Sequence, residues 1–205
     1  VGRPAVSPCL VIAKVAGHGM RGVLAPNPYF EDVGSWESVR RSIRSWSERR
    51  PFDARRPRVF WRGHIGDSWH DPAGRGWREV EPCQHESGNH ARLAAAAATL
   101  ERPDVVDVKC WSLDKCAPRD DRAEACAALP YTPTMARVRD DPAIVTDHRG
   151  HVARENFTRW KYVLNLPGST AGSYSRNLNH LWAVGSVVFF WAAPFVEWYF
   201  PALDA

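Results

Sequence analysis

Two stretches of this chain carry residue types suited to holding an anion. The first runs from Gly168 to Arg176 (Gly-Ser-Thr-Ala-Gly-Ser-Tyr-Ser-Arg), between an apolar run and a helical one. Small residues there let backbone N–H groups approach a ligand, and the positive end of a helix favours negative charge. Gly168 and Gly172 are among the small residues, Ser169, Thr170, Ser173 and Ser175 supply hydroxyls, and Arg176 supplies a guanidinium. The second stretch is Trp61-Arg62-Gly63-His64, followed downstream by Arg92 at the start of an alanine-rich segment. It repeats the arrangement, with Arg and Gly at a strand end and Arg at a helix start. Neither stretch completes a G-x-G-x-x-G or Walker pattern. The same residues therefore also suit ordinary strand-to-helix connections, with Ser175 as a helix cap and Gly63 as a strand terminator.

Other chemistries find less support. Cys83, His85 and His90, or His64 and His70, lack a recognised metal-ligand spacing. No Asp-x-Asp occurs, since Asp120-Asp121 and Asp140-Asp141 are adjacent pairs, so a metal bridging carboxylates to a diphosphate is not indicated. There is no Gly-x-Ser-x-Gly elbow. Asn156-Phe157-Thr158 is an N-glycosylation sequon, informative only in the secretory pathway. Between Arg40 and Arg62 lie nine arginines interleaved with Trp46, Phe52, Phe60 and Trp61. That pattern fits either a nucleic-acid surface or a solvated helix face with a charged linker, and we read the latter.

The elements that must position these residues alternate. Cys9–Lys14 is a short β-rich run. After Ser35 as a candidate cap, Trp36, Val39, Ile43 and Trp46 fall at helical spacing. Residues 48–57, charged and carrying Pro51 and Pro57, read as a linker. Strand 58–61, helix 91–100 and strand 105–111 then make one unit. Strand 161–166, helix 176–184 and a buried strand 186–191 make a second. Two such units predict a parallel sheet with helices on its faces, and open sheets of this kind bind ligands at the carboxyl ends of their strands.

The 205 residues include 27 basic side chains, of which 23 are Arg, and carry a net charge of +4. This excess of Arg over Lys fits a GC-rich coding bias, and the modest charge alone implies neither nucleic acid nor a membrane partner. Five cysteines without a C-x-x-C leave the redox compartment open; Cys110 and Cys116 are the nearest pair. The longest uncharged run, Leu181–Val196, is interrupted by Pro194 and is too short for a spanning helix. Val1 to Leu24 reads as an interior segment rather than a signal peptide.

Several blocks taken together resemble glycosyltransferase family 90, the Rumi-like protein O-glucosyltransferases and capsule-associated xylosyltransferases. They are Phe60-Trp61-Arg62-Gly63, Arg92 with Pro103-Asp104-Val105-Val106-Asp107, Lys161-Tyr162-Val163-Leu164-Asn165-Leu166-Pro167-Gly168, Ser186-Val187-Val188-Phe189 and Glu197-Trp198-Tyr199-Phe200-Pro201-Ala202-Leu203. The match in order and spacing covers residues 58–205, with a weaker extension back through Leu24–Pro28 and the Trp36 helix. The resemblance implies an α/β, GT-B-like architecture with a Rossmann-like parallel sheet, flanking helices and an incomplete N-terminal half. Residues 1–54 would be the remnant of the N-terminal domain with its linker, and residues 55–205 the nucleotide-sugar-binding domain.

It also implies metal-independent, inverting transfer of glucose or xylose from a UDP-sugar to a hydroxyl of a glycoprotein or polysaccharide. No cofactor and no nucleic acid would be involved, and the setting would be the endoplasmic reticulum or Golgi lumen. Donor contacts would fall to Arg62, Gly63, His64, Arg92, Gly168, Gly172, Ser173, Tyr174, Ser175 and Arg176, with Glu197 toward the ribose or in a structural role. Arg92 and Arg176 would neutralise the diphosphate, whose charge grows as it leaves. The family has Ser where this chain has His64, and its glycine loop is shorter. The family's catalytic Asp would precede Val1, so no base is assigned and the chain reads as the donor-binding part of a longer enzyme; a non-catalytic nucleotide-sugar or glycan-binding remnant is the alternative.

Overall fold

The computed structural model describes residues 10–11, 13–15, 23–24, 33–63, 88–110, 138, 141–144, 151–166, 176–191, 195–197 and 202. The centre of the described structure is a four-stranded parallel sheet. Its strands are β4 (Arg56–Gly63), β5 (Val106–Cys110), β6 (Trp160–Asn165) and β7 (Val187–Phe190), in the spatial order β5-β4-β6-β7. Three short strands lie N-terminal to it: β1 (Leu10–Val11), β2 (Ala13–Val15) and β3 (Val23–Leu24). β1 and β3 pair in parallel, while β2 runs antiparallel to β8 (Phe195–Glu197).

Three helices with described bounds accompany the sheet: α1 (Val33–Glu48), α2 (Gly88–Glu101) and α3 (Arg176–Leu181). Because strand side chains alternate, Phe60 and Trp61 must face opposite sides, and each anchors its own core. On the Trp61 side, α2 lays Ala95, Ala96 and Ala97 against Trp61, Val108, Cys110 and Leu166. Consecutive alanines favour the helix and, being small, let it lie close to the sheet. On the Phe60 side, α1 contributes Ile43 and α3 contributes Leu178 and Leu181, packed with Phe157, Trp160 and Val163. Phe60 stacks on Trp160 at 3.6 Å between centroids and meets Phe157 edge-on at 4.8 Å.

The two strand–helix–strand units predicted from sequence are present, with shifted edges. α1 starts at Val33 rather than after Ser35, and its Trp46 lies 38% exposed, flanked by the guanidinium groups of Arg49 and Arg50 at 5.6 and 5.3 Å. β7 is not buried as expected. The strand order leaves it at the sheet edge, and Val187, Phe189 and Phe190 are exposed. The opposite edge, β5, is covered. The Thr99 hydroxyl accepts from the Val108 N–H at 2.9 Å and donates to the Val108 carbonyl at 3.0 Å, and the Cys110 N–H donates to the Ile144 carbonyl.

The charged stretch 48–57 also behaves differently from its sequence reading. It makes a 3-10 turn at Phe52–Ala54 and then buries Arg55. That guanidinium donates to the carbonyls of Val184 and Gly185, to the Ser186 hydroxyl, and to the carbonyl and hydroxyl of Ser47. It thereby ties the C-terminal end of α1 to the turn after α3. At that turn Gly185 has φ 66°, and a side chain there would run into the Ser47 hydroxyl.

Candidate functional site

The strand order fixes where a ligand would approach. From β4 the chain passes through α2 to β5 on one side. From β6 it passes through α3 to β7 on the other side. Crossovers of the usual hand that leave in opposite directions put their helices on opposite faces, as the two cores show. The carboxyl ends of the neighbouring strands β4 and β6 therefore flank a topological switch point, the place where open α/β sheets open a crevice for ligands.

At the end of β4, three consecutive residues take three different tasks. Trp61 is buried in the α2-side core. Gly63 lies under the Trp61 indole, and a Cβ there would meet the six-membered ring, with Cη2 only 2.6 Å away. Glycine is what allows the ring to fold toward the sheet end. Arg62 points to the other face, its guanidinium 4.5 Å from the Phe60 ring centre. It donates to the Asp107 carboxylate at 2.7 Å, to the Asp107 carbonyl at 2.7 Å and to the Trp61 carbonyl at 2.9 Å. Burial lowers its pKa while Asp107 opposes that shift. Arg62 thus ties the carboxyl end of β4 to the first part of β5.

Arg92 lies one turn inside α2, because the helix begins at Gly88 rather than at Ala91. Its side chain is buried, with the guanidinium carbon 5.7 Å from the Trp61 ring centre. Burial lowers its pKa to about 10, which leaves it cationic at neutral pH. Arg92, Trp61 and Gly63 form one contiguous group on the α2 side of the switch point.

On the other side, α3 starts at Arg176, as the sequence predicts. Gly168, Gly172, Ser173, Tyr174 and Ser175 lie outside the described residues, as do His64 and the side chain of Arg176. Glu197 is buried, but it sits in the β2–β8 ladder, paired with Ala13, rather than in the four-stranded sheet. The sequon lies in the 3-10 turn Arg154–Arg159, where the buried Thr158 hydroxyl donates to the Glu155 carbonyl at 2.6 Å and accepts from Arg50 at 3.3 Å.

One residue at this edge was quoted from the sequence only as part of a block. Asn165 ends β6, and its Oδ1 is shielded from solvent without a hydrogen-bond partner. The available signal was a polar residue closing the apolar run Tyr162-Val163-Leu164, where a central strand would ordinarily stay apolar. In α3, His180 packs 5.4 Å from the Trp36 ring. Burial, reinforced by Arg154, lowers its pKa to about 4, so it is neutral at pH 7.

Among the described residues no group of three or more His, Cys, Asp or Glu side chains could hold a metal ion, and no helix is long and apolar enough to cross a membrane. Cys110 is disulfide-bonded. No protein-family model matches the chain, and no curated protein is significantly similar to it.

Proposed function

We propose that this chain forms the donor-binding part of a glycosyltransferase that moves glucose or xylose from a UDP-sugar to a hydroxyl of a protein or polysaccharide. Transfer inverts the anomeric carbon and uses no metal. The observation that carries the reading is the buried cation Arg92 beside a topological switch point. The resemblance to family 90 supplies the identity of the ligand. In such a site the leaving UDP gains negative charge as the glycosidic bond breaks, and fixed guanidinium groups aimed at it lower the barrier. Arg92 serves from the α2 side and Arg176 from the start of α3. Arg62 contributes indirectly, by holding the end of β4 through Asp107. The disulfide at Cys110 fits an oxidising compartment such as the endoplasmic reticulum or Golgi lumen.

A second reading, a nucleotide-sugar-binding module without catalysis, is favoured by one observation. Asp107, near the start of β5 and opposite Phe60, is engaged by Arg62 rather than available as a base.

Calorimetric titration with UDP, with and without EDTA, tests the proposal. Binding should be indifferent to the chelator and should weaken on the order of tenfold or more in Arg176→Ala, the worth of one charge-assisted hydrogen bond. Absence of UDP binding, together with salt-sensitive binding of single-stranded RNA, would overturn it. Glucosyl or xylosyl transfer to an added acceptor separates the enzyme from the binding module.

A further inference from the structure

Buried side-chain polar atoms are nearly always hydrogen-bonded, and an exception at a sheet end calls for a reason. Asn165 Oδ1 is such an exception: it is shielded and without a partner. The backbone around it is in order, since the Asn165 carbonyl accepts from the Trp191 N–H at 3.1 Å. Strand register puts Asn165 opposite Phe190. Phe60 pairs with Val163, and Arg62 and Asn165 each lie two residues further along their strands, so both belong to the face that carries α1 and α3. Arg62 does not satisfy the amide, because its donors go to Asp107 and to the Trp61 carbonyl. A leucine in this place would complete the apolar run at no polar cost. Among the described residues nothing uses this acceptor, which stands at the carboxyl end of a strand bordering the topological switch point.

An amide oxygen accepts hydrogen bonds. A diphosphate at neutral pH offers almost no donors, whereas a nucleoside offers ribose hydroxyls and, in uracil, a ring N–H. We propose that Asn165 is a specificity-determining residue that recognises the nucleoside part of the ligand, its Oδ1 accepting from the base N–H or from a ribose hydroxyl. Recognition is thereby divided: arginines take the phosphates, and Asn165 takes the group attached to them. The inference rests on the donor-site reading given above and adds a residue and a task to it.

The test compares Asn165→Leu with the unaltered chain, titrated with UDP, inorganic pyrophosphate, 2′-deoxy-UDP and 3-methyl-UDP, alongside thermal unfolding. UDP binding should fall roughly tenfold in the variant while pyrophosphate binding stays unchanged. The melting temperature should hold or rise, because an unpaired buried polar group has been exchanged for an apolar one of similar size. With the unaltered chain, one of the two analogues should show the same loss, and that analogue should show no further loss in the variant. The loss seen with the unaltered chain identifies which donor Asn165 meets, and that part does not depend on the variant folding. Unchanged UDP binding in Asn165→Leu, or an equal loss for pyrophosphate, overturns the inference while leaving the donor site standing. A lowered melting temperature with UDP affinity intact does the same and assigns Asn165 to the scaffold. If the unaltered chain binds pyrophosphate but not UDP, the donor-site reading itself falls.

Discussion

The two strand–helix–strand units of this sheet are built to the same plan and finished differently. In the β4–α2–β5 unit, no buried side-chain polar atom among the described residues lacks a partner. Thr99 satisfies both backbone groups of Val108, and Arg62 and Asp107 satisfy each other. The unit around β6, α3 and β7 leaves several such atoms without hydrogen bonds, among them Trp160 Nε1, Asn165 Oδ1 and His180 Nδ1. It also ends in an exposed edge strand. Unmade hydrogen bonds inside a protein cost stability that packing elsewhere must offset. The first unit is therefore fully satisfied among its described residues, whereas the second leaves buried polar groups unpaired.

The contrast can be broken most forcefully at Asp107. Asp107→Ala leaves the mostly buried Arg62 guanidinium without its carboxylate and should destabilise the chain by about 3 kcal/mol. The denaturant midpoint measures it, and a loss no greater than that of an exposed pair such as Arg102–Asp104 would show that the first unit does not depend on this bridge. Thr99→Val comes next. It keeps the shape but strips Val108 of both partners, for an expected loss of about 2 kcal/mol. The smallest effect, in the second unit, depends on pH. His180 has a folded-state pKa near 4, below its ordinary value of 6.5, so the unfolded chain binds the proton more readily. Its contribution is whole above about pH 6.5 and drains away as the pH falls toward 4. Allowing for its partial exposure, about 1 kcal/mol is at stake. Urea midpoints at about pH 7 and about pH 5 should differ by that much, and the difference should shrink in His180→Phe. An unaltered pH dependence in that variant would assign the effect to other groups.

What could be read from the sequence follows from how local each determinant is. The alanine run over α2 and the apolar stretches of β4, β5 and β6 announce themselves, because propensity and alternation act within a few residues. The parallel sheet then follows from two strand–helix–strand units. Strand order does not. The run Val187-Val188-Phe189-Phe190 is as apolar as a central strand, and only the tertiary arrangement makes it an edge. Arg55 sits in a segment whose composition reads as solvated linker. It is buried because two carbonyls from the turn near Gly185 and one from the end of α1 converge there in space. Helix α1, placed before the expected boundary at residue 54, sets Ile43 in the same core as β4 and β6. Arg62 and Gly63 close β4 and Arg92 lies in α2, yet sequence could not say that Arg62 would be committed to Asp107 or that Asn165 would stand unpaired. Those facts depend on which strands become neighbours.

The short antiparallel ladder between β2 and β8 has a consequence of a different sort. Ala13 pairs with Glu197, and all four strands of the parallel sheet are encoded between them. A ribosome delivers β2 before any of the sheet and β8 after all of it. The sheet, whose βαβ neighbours lie nearer in sequence, can form in the order of synthesis, whereas residues 13–15 must wait for their partner and then close the longest loop among the described strands. The ladder is in this sense a clasp: its formation reports that everything threaded between its halves has already been made.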